Sequence, residues 1–362
     1  MTAPTIDPER ATLLADHLRA QAASCHHDGS PLNAALLELA LRDFENGGVT
    51  ARLLADWEGH PMLSAMSMRL LGALHGLVLA GQAPLLATHY PSAGGRPDEA
   101  TLERGLLDAL EAHRDTIRAR LDEQVQTNEV RRSVALLGGF LHVAAATGLA
   151  IALHEIGASA GLNQHFDRYR YALGSHRFGD ADAELTLETD WSGQPPALDA
   201  TLEIAERGGC DLAPIDLEDA ASRARLESFI WGDQPERLER LRTAIAVARR
   251  HGTHVERSRA LPWLESRLPG RTPGRAHVVF HSTVWWYLPE SERAAVTELM
   301  EATGAAATAE RPLAWLRMEG NNLDWADVRV RLWPGGDDVR LGRTRYHGQA
   351  VEWRGASPAP AA

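Results

Sequence analysis

Two overlapping glycine patterns occur in the sequence HEIGASAGLNQHF (154–166), and they predict different chemistry. Its GASAG portion fits Gly-x-Ser-x-Gly, the sharp turn that exposes Ser159 as the nucleophile of a serine hydrolase. Glu155, Gly157 and Gly161 fit Glu-x-Gly-x-x-x-Gly, a turn at which glycines let the backbone pass close to a nucleoside cofactor. In such a turn a helix N-terminus donates N–H groups to the ligand, and the carboxylate accepts from its hydroxyl or amino groups. Ser159 attacks in the first interpretation and helps to hold a ligand in the second.

The position of this turn within the predicted sheet favours the cofactor interpretation. In an α/β-hydrolase several strands precede the nucleophile, and the acid and the histidine come later in the chain. That order is available, since Asp211 or Asp216 and then His347 follow Ser159. The first predicted strand, however, is LAIALHE (149–155), so the turn is the first strand-to-helix turn of a nucleotide-binding sheet. The hydrolase stays open, as does a noncatalytic protein in which the glycines only permit a tight turn.

Composition excludes several classes of protein. The chain has 362 residues, 44% apolar and 24% charged, which is typical of a globular protein of one or two domains. Its net charge of −12 opposes the attraction to phosphates on which nucleic-acid binding depends. The two cysteines, Cys25 and Cys210, supply neither a disulfide framework nor a four-ligand zinc site. We therefore expect a small-molecule or protein substrate, of which we favour the small molecule, and no nucleic-acid partner and no metal.

The distribution of apolar residues predicts a cytoplasmic protein that does not cross a membrane. The N-terminal sequence MTAPTIDPERATLLADHLRA lacks the basic start and apolar core that a secretory signal requires. The apolar stretch 136–153 is interrupted by two glycines, by His142 and by Thr147-Gly148, and Glu155 follows it. It therefore predicts a buried helix that continues into a buried strand.

The spacing of apolar residues changes near residue 148 and predicts two regions. Residues 1–148 are expected to be all-helical, because apolar residues recur about every 3.6 positions. Residues 149–355 alternate strand-like with helical runs and predict an α/β fold with antiparallel closing strands, and 356–362 a disordered tail. The helical candidates are ERATLLADHLRAQA, PLNAALLELALRDF, PMLSAMSMRLLGALHGLVLAG, ATLERGLLDALEAHRDTIRARL, LNQHFDRYRY, PERLERLRTAIAVARRHG, LPWLESRL and PESERAAVTELMEATG. The strand candidates are LAIALHE, AELTLETDW, CDLAPIDL, THVERS, RAHVVFHS, PLAWLRME, DVRVRLWPGG and RLGRTRYHGQAVEW.

The chain resembles a bacterial family of uncharacterised proteins over nearly its whole length. The resemblance is carried by QTNEVRRS, HEIGASAGLNQHFDRYRY, CDLAPIDL, FIWGDQPERLERL, VVFHSTVWWYLP and the closing WPGG, YHG and VEW. The domain of that family is of unknown function, and its central part is similar to class I S-adenosylmethionine-dependent methyltransferases. Gly232 departs from the pattern WPDQ by replacing its proline. The resemblance implies a Rossmann-like sheet of seven strands with a reversed last strand and with the cofactor at the ends of the first strands. We expect the helical N-terminal region to cover the cofactor cleft and to shape the substrate pocket.

The methyltransferase resemblance also implies cofactor-binding residues. A second acidic residue commonly ends the second strand of such enzymes and binds the ribose hydroxyls; Asp216 is the candidate here and Asp190 the alternative. An aspartate at such a position is equally often a helix N-cap. The residues expected around the methionine and ribose end of S-adenosylmethionine are Glu155, Gly157, Ala158, Ser159 and Gly161, with Asn163 in the first helical turn.

Asn128 is a further candidate, just before the first strand. Asn128 and Arg132 are spaced to share one face of a predicted helix, close to Gln126 and Glu129, and these polar groups are expected to reach the cofactor or substrate. A capping cluster in which Thr127 or Asn128 starts the helix explains them equally well.

The catalytic candidates are His281 and Tyr287. The strand RAHVVFHS ends beside His281, where methyltransferases place residues that meet the reacting group, and His281 is a possible general base. Trp285, Trp286 and Tyr287 are expected to form an aromatic wall for an apolar or cationic substrate. The alternative is a hydrogen-bonded histidine beside core aromatics. The sequence thus predicts a methyltransferase, or a related alkyl transferase, that acts on a small molecule.

Overall fold

Helices dominate the first 147 residues of the computed structural model, which describes residues 6–320, 322 and 324–355. Their apolar stripes of leucine and alanine are buried, as the sequence spacing requires. The first helix begins after Asp7, whose carboxylate caps it by accepting from the N–H groups of Glu9 and Arg10. The helices are α1 (Pro8–His27), α2 (Pro31–Glu45), α3 (Val49–Leu54), α4 (Met66–Leu79), α5 (Pro84–Ala87), α6 (Glu99–Ala112), α7 (Arg114–Leu121) and α8 (Ser133–Thr147), with 3₁₀ turns at Pro91–Ala93 and Val130–Arg132.

The chain divides into two units, of which the first combines two segments. It comprises Met1–Thr127 and Asp219–Arg242, and the second unit comprises Asn128–Glu218 and Thr243–Ala362. Aliphatic side chains contributed by α1 to α7 form one core cluster in the first unit. The later segment of that unit contains α9 (Ala220–Ser228) and the start of α10 (Pro235–His251).

Within the first unit, the segment FIWGDQ has a structural explanation. The Asp233 carboxylate accepts from the Leu32 N–H at 2.9 Å and from the Ser30 hydroxyl at 2.7 Å, so it caps the start of α2. A Cβ at Gly232 would lie 2.2 Å from the Tyr90 ring. Packing against Tyr90 therefore excludes a larger side chain at Gly232.

The second unit contains one sheet of eleven strands together with α11 (Ala260–Arg267) and α12 (Glu290–Ala305). Two 3₁₀ helices, Leu162–Arg168 and Trp285–Tyr287, follow the first and seventh strands. The strands are β1 (Ala150–Ile156), β2 (Arg170–Leu173), β3 (His176–Phe178), β4 (Thr186–Gly193), β5 (Ile204–Asp211), β6 (Val255–Arg257), β7 (Arg275–Ser282), β8 (Leu313–Gly320), β9 (Trp325–Trp333), β10 (Asp338–Arg345) and β11 (Ala350–Trp353).

The strand order is β3-β2-β4-β11-β10-β9-β8-β7-β1-β5-β6. The run from β8 to β6 is parallel throughout, whereas β9 and β10 are antiparallel to their neighbours. The fold is therefore mixed α/β with a mostly parallel central sheet, and the helical N-terminal region is confirmed. The reversed strand β9 pairs with its chain predecessor β8, because a short connection joins them as a hairpin. The sheet thus continues past its reversed strand instead of ending there.

The apolar stretch 136–153 forms α8 and the start of β1, as predicted. Two glycines let α8 approach the sheet, since a Cβ at Gly138 would lie 2.4 Å from the Trp353 ring and one at Gly139 would lie 2.2 Å from Leu316 Cδ1. Among the described residues, no helix combines the length and apolar character needed to cross a membrane. β1 is also the first strand of the described chain, so the predicted start of the sheet is confirmed.

Local structure differs from the sequence prediction in three places. The run LNQHFDRYRY is a 3₁₀ helix only as far as Arg168, and its last residues enter β2. Residues 128 and 129 precede the 3₁₀ turn instead of lying on an α-helix, so Asn128 and Arg132 do not share a helix face. Most of CDLAPIDL follows β5, which ends at Asp211. The predicted disordered tail, 356–362, lies outside the described residues.

Candidate functional site

Backbone strain marks the sheet position at which the strand order reverses. β1 lies between β5 and β7, and in open parallel sheets ligands bind beyond the carboxyl ends of the strands at such a point. Ser159 follows β1 and Thr283 follows β7, each with φ 52°, and Ala65 is the third described non-glycine residue with positive φ. Left-handed backbone costs about 1–2 kcal/mol in a non-glycine residue, and it persists where the surroundings impose it. The carboxyl ends of β1 and β7 are therefore the candidate site.

The glycine pattern is required by the packing of the turn after β1. Gly157 and Gly161 have φ 66° and φ 70°, which favour glycine. A Cβ at Gly157 would lie 2.3 Å from Cγ2 of Val284, and one at Gly161 would lie 2.6 Å from Cγ2 of Thr253. Both positions therefore need glycine for its backbone freedom and for its size.

Several N–H groups of this turn donate to protein atoms. The Ala158 N–H donates to the Cys210 carbonyl at 3.0 Å, and the Ser159 N–H donates to Oδ2 of Asp211 at 2.8 Å. The Gly161 N–H closes the turn on the Ala158 carbonyl at 2.7 Å. These amides tie β1 to β5 and are not presented to a ligand. The expectation that the turn would offer them as donors is wrong for these three positions.

Asn128 and Asn163 stabilise the same turn from the other side. Oδ1 of Asn128 accepts from the Leu162 N–H at 2.9 Å, so it satisfies the first amide of the following 3₁₀ helix. Oδ1 of Asn163 accepts from the Ser133 hydroxyl at 2.8 Å, and both groups are buried. The Glu129 side chain accepts from the Arg131 N–H and caps the 3₁₀ turn. The two asparagines therefore connect the start of α8 to the turn after β1.

Glu155 is a buried acid directly before the turn. Its side chain is 3% exposed, and within the described residues its Oε2 has no hydrogen-bond partner. Nε2 of the buried Gln164 likewise has none among the described residues. Burial raises the pKa of Glu155 to about 8, the Gln164 side chain opposes this rise, and the charge of Asp211 adds to it. An unpaired buried carboxyl oxygen destabilises the fold, so Glu155 is a candidate for a role in ligand binding.

Asp211, rather than Asp216, ends the second strand of the parallel run. Besides the Ser159 N–H, its carboxylate accepts from the Ala213 N–H at 2.9 Å. Asp216 lies five residues beyond β5, where it accepts from the exposed Glu218 N–H. Asp190 is in β4, which pairs with β2 and β11. Asp211 therefore has the position that the methyltransferase resemblance implied for Asp216, and it organises two turns.

Replacing Asp211 by alanine is expected to lower the free energy of unfolding by about 2–3 kcal/mol, since two backbone N–H groups lose a charged acceptor. Asp216→Ala is the matched control, and its exposed turn should lose about 1 kcal/mol or less. Urea denaturation followed by circular dichroism measures both losses. Equal losses in the two variants would contradict the assigned role of Asp211.

His281 is fully enclosed, and both of its ring nitrogens are occupied. The Trp315 indole N–H, which can only donate, donates to Nε2 at 3.1 Å. The imidazole proton is therefore on Nδ1, which donates to Oε1 of Glu319 at 2.6 Å. The ring also stacks on Trp285, with centroids 5.0 Å apart. His281 thus has no free lone pair with which to act as a general base, and it orients Glu319.

Glu319 is the residue at this end of the sheet that the sequence interpretation missed. It lies at the carboxyl end of β8 with its side chain 19% exposed, and Oε1 also accepts from the Val284 N–H at 3.2 Å. A signal for it was present, since PLAWLRME was a predicted strand that ends at Glu319. Carboxyl ends of parallel strands meet at one edge, which brings Glu319 to His281.

The aromatic residues after β7 divide into one half-buried ring and two exposed ones. Trp285 packs between His281 and Trp315, whereas Trp286 and Tyr287 are 70% and 71% exposed. The two exposed rings contact each other with centroids 4.8 Å apart, and the Trp286 indole donates to the Thr283 carbonyl. Single exposed apolar residues are ordinary, but a Trp–Tyr pair beside a strained turn offers a surface for stacking.

A cavity of about 370 Å³ lies beside the turn after β1. The loop after β5 and the end of α10 form most of its wall, and an ion pair joins Glu218 to Arg249 there at 2.9 Å. Thr253 lines the cavity and bonds to Nε2 of the buried His165 at 2.6 Å. His347 lies in the turn between β10 and β11, and its carbonyl accepts from Nε of Arg131 at 2.9 Å.

Comparison with known proteins identifies a family but no characterised relative. Residues 15–353 match a family described as "Uncharacterized protein conserved in bacteria (DUF2332)". Neither the curated proteins nor the solved structures contain a match to this chain. The family match covers both units.

Proposed function

The chain belongs to this uncharacterised bacterial family, and from that premise we propose that it is an S-adenosylmethionine-binding enzyme that transfers a methyl group to a small molecule. The family supplies no reaction, so the proposal depends on the site. The order β6-β5-β1-β7-β8 supports it, because this is the parallel arrangement of a Rossmann-like sheet with its crevice at β1 and β7.

The unpaired oxygen of Glu155 is the observation that carries the proposal. Oε2 of Glu155 is a buried acceptor and Nε2 of Gln164 is a buried donor, and neither makes a hydrogen bond of normal geometry to the described residues. The two side chains lie near each other, since Gln164 lowers the pKa of Glu155 by hydrogen bonding, so a ligand that binds both would replace a poorly formed contact between them. An α-amino acid group presents the complementary ammonium and carboxylate, and S-adenosylmethionine carries that group at its methionine end. When bound, this cofactor supplies an electrophilic methyl group. The residues that would hold its methionine end are Glu155 and Gln164, above the turn that Gly157 and Gly161 permit.

The same site fits a dinucleotide less well. Pyrophosphate binding relies on free N–H groups at the first turn of an α-helix. The element after this turn is instead a 3₁₀ helix, and Asn128 already accepts from its first amide. Recognition by side chains therefore favours a ligand with an ammonium group over one with bridging phosphates.

Thermal denaturation with S-adenosylmethionine or S-adenosylhomocysteine tests the proposal. Either nucleoside, at about a hundred times its dissociation constant, should stabilise the protein by about 2.7 kcal/mol. At pH 8 or above, where the carboxyl of Glu155 ionises, Glu155→Gln should lose most of this stabilisation, because glutamine cannot carry the charge that pairs with the ammonium. Glu188→Gln, at an exposed position of β4, is the control and should behave like the unmodified protein. Absence of stabilisation by both nucleosides would contradict the proposal.

A serine hydrolase is the second candidate, and one observation favours it. Ser159 has φ 52° in the turn that follows β1, three residues after its last residue, and the nucleophile turn of an α/β-hydrolase is strained in a similar way. β1 is, however, the first strand of the described chain, and the Ser159 side chain is buried. Labelling by a fluorophosphonate that disappears in Ser159→Ala would establish the hydrolase and overturn the cofactor proposal. If neither nucleosides nor the probe bind, a noncatalytic binding protein is the better interpretation.

A further inference from the structure

The carboxyl ends of β7 and β8 contain a hydrogen-bond chain that ends in a partly exposed carboxylate. It runs from the Trp315 indole through the neutral imidazole of His281 to Oε1 of Glu319. The Val284 N–H donates to the same oxygen. Three buried or backbone groups therefore fix the orientation of Glu319, while the structure assigns no partner among its described residues to the other oxygen, Oε2. Oε2 of Glu319 is therefore an oriented hydrogen-bond acceptor that a ligand can use.

The carboxylate of Glu319 favours a cationic donor, and the nearby guanidinium of Arg132 is held by the carbonyl groups of Ser282 and Tyr346. His281 cannot take a second proton on Nε2 while Trp315 donates to that atom, so the chain of groups carries the single negative charge of Glu319. Asp327 is the cross-strand neighbour of Glu319 on β9, and it pairs with Arg340. The nearest cation on β8, Arg317, pairs with Asp338.

The exposed rings of Trp286 and Tyr287 provide a surface beside Glu319 on which the apolar part of a ligand can pack. Trp286 and Tyr287 follow Val284, whose N–H binds Glu319, in the next 3₁₀ turn. Ring faces attract cations and stack with apolar or aromatic groups. One carboxylate and two exposed rings in neighbouring positions are complementary to an ammonium group attached to an apolar or aromatic skeleton.

We propose that Glu319 binds the ammonium group of an arylalkyl or alkyl amine substrate and accepts its proton, with His281 and Trp315 as positioning residues. This inference rests on the proposed methyl transfer and names its substrate class. The carboxylate takes one proton from the ammonium, which frees the nitrogen lone pair. The nitrogen lone pair would then form the bond to the methyl carbon while the C–S bond breaks with its electrons on sulfur, which would leave a neutral thioether and a positively charged secondary ammonium.

Binding of phenethylammonium, followed by isothermal calorimetry at pH 7, tests the substrate class directly. Its neutral isostere 2-phenylethanol is the ligand control, and Glu290→Gln, three residues after Tyr287, is the exposed protein control. We expect saturable binding of the ammonium, about tenfold or more weaker binding in Glu319→Gln, and weak binding of the alcohol throughout. Glutamine still accepts from His281, so melting temperature should show that Glu319→Gln is folded.

Three results would overturn this inference: no binding of phenethylammonium, equal binding by Glu319→Gln, or equal affinity for the alcohol. The positioning role has its own readout, since a ¹⁵N–¹H correlation should show His281 protonated on Nδ1 alone at pH 7. A proton on Nε2 would contradict that role. S-adenosylmethionine is titrated separately against the same variants. If the unmodified protein binds the nucleoside but not phenethylammonium, only the role of Glu319 is refuted, whereas binding of phenethylammonium without binding of the nucleoside refutes only the cofactor proposal.

Discussion

The Glu155→Gln variant is expected to gain stability over the unmodified, ligand-free protein as the pH rises. The difference in free energy of unfolding between the two should be about 4 kcal/mol more favourable to the variant at pH 8 than at pH 4. In the folded protein burial raises the pKa of Glu155 to about 8, whereas the unfolded carboxyl ionises near 4.5. Between these values the folded state binds more protons than the unfolded state. The free energy that the protonated acid contributes to folding is therefore complete below about pH 4.5 and is lost as the pH rises towards 8. Glutamine does not ionise, so the variant escapes this loss.

Urea denaturation at several pH values measures this effect. Glu188→Gln is the control, because an exposed carboxyl on β4 should give a difference that changes little with pH. A difference between Glu155→Gln and the unmodified protein that stays constant from pH 4 to pH 8 would show that Glu155 is not held neutral by burial. A variant that is more stable yet loses nucleoside binding would identify Glu155 as a residue kept for function at a cost in stability.

Gly157→Ala is expected to lower the free energy of unfolding by about 3–5 kcal/mol and to abolish nucleoside binding. The left-handed backbone disfavours any side chain, and the new Cβ would also lie 2.3 Å from Cγ2 and 2.9 Å from Cβ of Val284. Val284 is short and β-branched, so the clash moves the backbone after β7. That movement disturbs the strained Thr283 and the N–H that binds Glu319.

Gly148→Ala separates the backbone effect from the clash. Gly148 has φ 65°, close to the 66° of Gly157, but a Cβ there would have no heavy atom within 4 Å. The control should therefore lose only about 1–2 kcal/mol, the cost of a left-handed alanine. Urea denaturation and nucleoside titration of both variants give the comparison. If Gly157→Ala retains the affinity of the unmodified protein, the turn after β1 is not the cofactor site.

The sequence alone was sufficient for most of the elements and for the position of the turn after β1. Apolar periodicity is local, so RAHVVFHS predicted β7, Arg275–Ser282, and the change near residue 148 predicted the start of the sheet at β1. The turn pattern placed Glu155 and the two glycines after that strand, and family membership over residues 15–353 was predicted from short segments. Each of these predictions uses residues that are close together in the chain, so the sequence alone contains the information that it needs.

Only the tertiary structure decided which of those groups are available for chemistry. Asp211 satisfies an amide 52 residues away, and Trp315 occupies a nitrogen of His281 34 residues away. Sequence reasoning therefore expected Asp216 at the end of the second strand, where Asp211 lies, and proposed His281 as a general base although Trp315 and Glu319 occupy both of its ring nitrogens. Whether a polar group can bind a ligand depends on its burial and on its hydrogen-bond partners. Those partners come from segments that are distant in the sequence, so a local sequence pattern does not identify them.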